Sequence, residues 1–306
     1  MKNIIEFYYN IKLEELHNKN DIYSFNINNN EFIFKPYNND INKIDDIYRL
    51  NNYLQRKIPV DNIIPNKYNS TITEINNIPY ILLQRRKQNN IRLSEISNIS
   101  NTQINQIKTL ERNNWEILWA NKIDYFEKQV EENKKKYPLI RESFDYFVGL
   151  GENAISYLVN TKKETKPTIY DTKVISHNNL LNSLYDPSNI ILDHKARDIA
   201  EYIKLSFFQK NYNIFKELDI YFLYNPYSEY GIRVLFSRIL YPSFYFELYD
   251  DILVGIKKEQ ELNKIISQIN NYEIYLYNVY LYLRKYYNIP AIDWLKKQGI
   301  NPRLQL

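Results

Sequence analysis

Between Lys173 and Lys204 the chain reads KVISHNNLLNSLYDPSNIILDHKARDIAEYIK. The apolar pair Val174-Ile175 runs into Ser176-His177-Asn178-Asn179, and the run Ile190-Ile191-Leu192 delivers Asp193-His194. Arg197 and Asp198 then open an amphipathic pattern. Two strands that each end in polar, ionisable residues present groups for phosphoryl transfer, a chemistry that rests on positioning and charge stabilisation. A further candidate, Lys35, ends the run Phe32-Ile33-Phe34. A lysine there can meet phosphate oxygens, or it can be an ordinary lysine at a strand end facing solvent.

The elements that must position these residues follow from the patterning. Ile22 to Tyr37 alternates and is aromatic-rich, which predicts two antiparallel strands joined through Asn28-Asn29-Asn30, with Lys35 near the end of the second. Ile41 to Leu54 carries apolar residues at helical spacing, and Asp45 and Asp46 lie on that helix. Ile63-Ile64, Thr71 to Ile75 and Pro79 to Leu83 read as further strands, and Gln84 to Asn90 as a polar connector. Helices are expected from Trp115 to Val130, from Pro138, from Ile199 to Gln209, over Ile232 to Asp251 with a break at Pro242, and from Leu262 to Tyr287. The order predicts an α+β chain, with a small antiparallel-sheet lobe carrying one helix over 1–89 and a larger, mainly helical lobe over 90–306.

Composition narrows the function classes. The 306 residues are 44% hydrophobic and 25% charged, which suits a globular chain with a sizeable core. With no cysteine, neither a disulfide framework nor a thiolate metal site is available. The net charge of +4 is spread along the chain, whereas a nucleic-acid binder concentrates a basic face, so no nucleic-acid partner is expected. The N-terminal apolar run is broken at Glu6 and no segment approaches the ~18 apolar residues of a membrane span, so a cytoplasmic protein without a membrane partner is expected. The 30 tyrosines fall mostly within helical apolar patterns and read as core. Cross-linking of tyrosines is a third use, and it requires exposed rings.

The central stretch resembles the aminoglycoside and choline kinase-like fold, and more closely the spore-coat-associated kinase-like proteins of the CotS/YutH type. The residues Asp193-His194-Lys195-Ala196-Arg197-Asp198-Ile199-Ala200-Glu201 carry that likeness, with WEILWANKIDYFEKQ from Trp115, YFVGLGENAISY from Tyr146 and RVLFSRILYPSFYF from Arg233. The resemblance implies a bilobal protein-kinase-like fold and a role in the coat of bacterial endospores.

It also implies roles for single residues. Lys35 takes the place of the lysine that contacts nucleotide phosphates, with Asp45 or Asp46 as its helix acid. The family pattern of His, any residue, Asp, four residues and Asn, laid on His177, puts Asn179 at the base position and Leu184 at a metal-ligand position. An amide accepts no proton at neutral pH and a leucine binds no magnesium; loss of a general base alone costs ~10²–10⁴-fold in rate. His177 itself then reads as a buried histidine bracing the loop. Asp193 matches the aspartate that binds magnesium, here with Leu184 as partner position. Asp198 matches a helix-start aspartate and reads as a capping residue. His194 and Arg197 have two readings, an anion site or a structural ion-pair network. The first glycine of the chain is Gly149, so no glycine-rich phosphate loop precedes Lys35.

Together these features describe a kinase-shaped coat component without turnover, acting as scaffold or ligand binder with other coat proteins as partners. It is expected in the mother-cell cytoplasm and then on the spore coat, with no cofactor. The alternative is an active kinase for a small alcohol, amine or sugar, using ATP and magnesium.

Overall fold

The computed structural model describes residues 1–86, 91–105, 107–133 and 135–298. Residues 87–90 of the expected connector lie outside them. The chain divides into two compact units, one made of 1–112 with 173–193 and the other of 113–172 with 194–306.

The first unit opens with helix α1 (Lys2–Tyr9), followed by strands β1 (His17–Lys19), β2 (Ile22–Ile27) and β3 (Asn30–Pro36). Helix α2 (Ile44–Leu54), strands β4 (Asn62–Ile64), β5 (Thr73–Ile75) and β6 (Ile78–Gln84) and helix α3 (Leu93–Ser100) follow. The antiparallel sheet runs β1-β2-β3-β6-β4, with β5 also paired to β6. Asn28 and Asn29 form the two-residue loop between β2 and β3, both at positive φ (48° and 63°). Asparagine tolerates that region, and two such residues give the turn twist that a tight hairpin needs.

Pairing of Phe34 with Leu82 and of Lys35 with Ile81 fixes the faces of β3. Side chains alternate along a strand. Phe34 therefore packs into a core with Ile5, Leu13, Phe25, Tyr80 and Leu82, stacking on Tyr80 at 4.9 Å, and Lys35 takes the other face. The same unit contains β7 (Lys173–His177) and β8 (Ile190–His194), which pair with each other; β8 passes into the second unit at His194.

The second unit is helical: α4 (Trp115–Asn133), α5 (Pro138–Glu164), α6 (Ala196–Phe208), α7 (Ile214–Tyr224), α8 (Glu229–Leu240), α9 (Ser243–Leu253), α10 (Asn263–Ile266), α11 (Ile269–Arg284) and α12 (Asp293–Gln298). Aromatic stacking fills its core: Phe147 lies 3.9 Å from Tyr245, and Trp119 lies 4.5 Å from Tyr241. Gly151 lets α4 and α5 meet closely here: a Cβ would stand 2.8 Å from Ile123 Cδ1, and that side chain would have to move. The helix expected from Leu262 to Tyr287 is interrupted. Gln268 N–H bonds back to Ile265 O, a tight i to i−3 closure that ends α10, and Gln268 O then accepts the first bond of α11 from Tyr272. Among the described residues no helix is long and apolar enough to cross a membrane.

Candidate functional site

Lys35 is brought by β3 to an ion pair with Asp186, and not to the helix acids. Of the expected partners on α2, Asp46 pairs with Arg49 at 3.1 Å and accepts from Thr109 Oγ1. Spacing within α2 favours Arg49, one turn away, over a residue on another element. Asp186 caps the short turn Pro187–Asn189 that leads into β8, its Oδ1 accepting from Ser188 N at 2.9 Å and Ser188 Oγ at 2.7 Å.

Asp61, which follows Val60 just before β4, is buried beside this pair and accepts from Arg86 N at 2.9 Å. Burial pushes its carboxyl up to about 6 against the pull of the Arg86 hydrogen bond; Asp186 pushes it further, while Arg85 and Lys35 pull down.

The loop between β7 and β8 is sewn together by Asn189. Its amide nitrogen donates to Asn179 O at 2.7 Å and Ser183 O at 2.9 Å, and its oxygen accepts from Asn179 N at 3.0 Å. His177 is buried, with Nε2 3.0 Å from Leu184 O. Asn179 Oδ1 accepts from Leu181 N at 2.8 Å. Leu184 is fully buried, a core side chain at the position compared with a metal ligand. Asp193 is buried at the end of β8, 2% exposed. Among the described residues no three histidines, cysteines or acids gather to hold a metal ion. Leu184 offers a magnesium ion no side-chain ligand atom, and the Asn189 amide bonds to Asn179 and Ser183.

In the second unit His194 meets Asp171, Nε2 to Oδ1 at 3.3 Å, while its Nδ1 accepts from Ala196 N at 3.1 Å. Asp171 also accepts from Ser228 Oγ at 2.8 and 2.6 Å, and from Thr168 N and Oγ1. Burial works to raise its pKa, yet the bonds from His194, Ser228 and Thr168 bring it down to about 2. Ser228 caps α8 by accepting from Gly231 N, so its hydroxyl is committed to structure. The Arg197 guanidinium lies 4.4 Å over the Trp115 ring, and Arg238 at the same distance. Asp198 is buried in the first turn of α6.

Sequence patterning singles out none of Asp186, Asp61, Asn189 and Asp171. Only Asp186 carries a local signal, as an acid before proline at the start of a turn.

The fold is that of the aminoglycoside phosphotransferases. It is similar to an aminoglycoside phosphotransferase from Alicyclobacillus acidocaldarius, with a TM-score of 0.61 over 93% of this chain and 97% of the other at 9% identity. Spectinomycin phosphotransferase, solved with ADP and spectinomycin, matches at 0.56 over 97% of each chain and 13% identity. The chain belongs to the family described as "Spore coat putative kinase YutH", whose model matches residues 2–279. The endospore coat-associated protein YutH of Bacillus subtilis strain 168 is 30% identical over 209 residues, 60% of this chain. That match spans 61% of the relative's length.

Proposed function

We propose that this protein is a kinase-shaped component of the endospore coat that does not transfer phosphoryl groups, and that it works by binding other coat proteins. The reading keeps the lobes at 1–89 and 90–306 and sets assembly in the mother cell, followed by residence on the coat. The observation that carries it is Leu184: fully buried, with its carbonyl taken by His177, it leaves the metal-ligand position filled by core. Asn179 adds to this, since an amide whose oxygen already accepts from Leu181 N is no general base. Family membership supports the coat context.

The test is ATP consumption by the full chain with small alcohols, amines and sugars, in magnesium. No turnover above background is expected, and phosphoryl transfer that disappears in Asp193→Ala overturns the proposal.

A second reading, an active small-molecule kinase using ATP and magnesium, is favoured by one observation: Lys35 on β3 and Asp193 at the end of β8 are both present in the first compact unit. Under that reading native turnover is measurable and is lost in Asp193→Ala.

A further inference from the structure

We infer that Asp186 plugs the anion seat of Lys35, its carboxylate standing where a nucleotide phosphate would otherwise meet the lysine. The inference rests on the reading above that Lys35 is the phosphate-facing lysine of this fold.

Three observations carry it. The pair is largely withdrawn from water, with the Lys35 side chain 20% exposed and that of Asp186 11% exposed. Asp186 does not swing freely, because its other oxygen is held by Ser188 N and Ser188 Oγ. The backbone on either side is pinned as well: Asp61 N donates to Tyr185 O at 2.8 Å, and Asn39 Nδ2 donates to Ser188 O at 2.5 Å.

The third observation is charge. Asp61 is buried close to the same pair, with Lys35 and the Arg85 guanidinium both acting on its carboxyl. A polyphosphate approaching Lys35 then meets fixed negative charge in a partly desolvated place, where repulsion is poorly screened. An acid that merely orients a lysine leaves the phosphate attracted. Here the Asp186 carboxylate, fixed on the ammonium itself, opposes it.

The two roles predict opposite outcomes when the carboxylate is removed. Asp186→Asn keeps an oxygen for Ser188 N and Ser188 Oγ and takes away the charge that holds Lys35. Inorganic tripolyphosphate, titrated without metal into the full chain by calorimetry, is the probe. Tripolyphosphate is expected to bind D186N at least roughly tenfold more tightly than the wild type. That gain should vanish in D186N combined with Lys35→Met. Equal or weaker binding by folded D186N overturns the inference, as does a gain that survives K35M. Should D186N fail to fold, Asp186→Ser, which retains a capping oxygen without charge, enters the same comparison. Turnover of ATP by the wild type would overturn the functional proposal instead, and it is read in a separate assay.

Discussion

His177 Nε2 lies 3.0 Å from the carbonyl oxygen of Leu184, closing the segment between β7 and β8 on itself. Asn189 then ties Asn179 and Ser183 into the same closure. The groups compared with a base and a metal ligand are thus part of a hydrogen-bonded knot built from backbone and amides.

Removing the knot's centre should be costly. Asn189→Ala removes three hydrogen bonds from a half-buried loop, those to Asn179 N, Asn179 O and Ser183 O, and is expected to lower stability by about 2–4 kcal/mol. Asn189→Asp should fare little better, because a carboxylate accepts from Asn179 N and donates to neither carbonyl. Urea unfolding monitored by circular dichroism reads both; a loss under ~0.5 kcal/mol for N189A would show the loop to be held by other contacts.

Asp171 offers a second test, with a sign fixed by its lowered pKa. A carboxylate whose folded value is about 2, against an ordinary 3.8, contributes stability that is present above pH ~4 and fades as pH falls toward 2. Asp171→Asn should flatten that acid limb in melting curves between pH 5 and 3. Gly231 reports on the same point, since a Cβ there would stand 2.5 Å from Asp171 Oδ1. Gly231→Ala should cost about 1–3 kcal/mol at neutral pH. The D171N/G231A pair should be less than additive, because both disturb one carboxylate.

How far the chain could be read in advance differs between local and long-range features. The β2–β3 hairpin was legible because alternation and the Asn28-Asn29 turn are local signals, and they place Lys35 near the end of β3. The partner of Lys35 was not, because Asp186 lies 151 residues away and the family resemblance implied Asp45 or Asp46 instead. Helix α7 escaped notice for another reason. Ile220, Leu223 and Tyr224 are 62%, 78% and 78% exposed, so its apolar residues do not mark one buried face. Helix α1, at 8 residues, is too short for a periodic signal. Likeness to the spore-coat family reached the overall fold where periodicity alone stops at class.

Lys204 is a buried ammonium with its three donors used. It donates to Glu201 at 2.8 Å, Ser243 Oγ at 2.6 Å and Tyr241 O at 3.0 Å. Burial pushes its pKa down, with Glu201 acting against that. Lys204→Met should cost about 2–4 kcal/mol, much of it from leaving Glu201 uncompensated. Glu201→Gln added to K204M should recover part of the loss. A double-mutant cycle by urea unfolding measures the coupling, and strict additivity would show that the pair is incidental.

Asp61 carries the opposite pH dependence to Asp171. Its folded pKa is raised from 3.8 to about 6, chiefly by burial, so the folded state binds the proton more tightly than the unfolded chain. Its contribution is fully present below pH ~4 and is lost as pH rises through 6, amounting to up to about 3 kcal/mol. Asp61→Asn keeps an acceptor for Arg86 N and has no charge to desolvate. The variant should therefore match the wild type near pH 4 and exceed it in urea midpoint at pH 7. Parallel stability profiles for the two proteins across pH 4–7 would mean that Asp61 is solvated in solution.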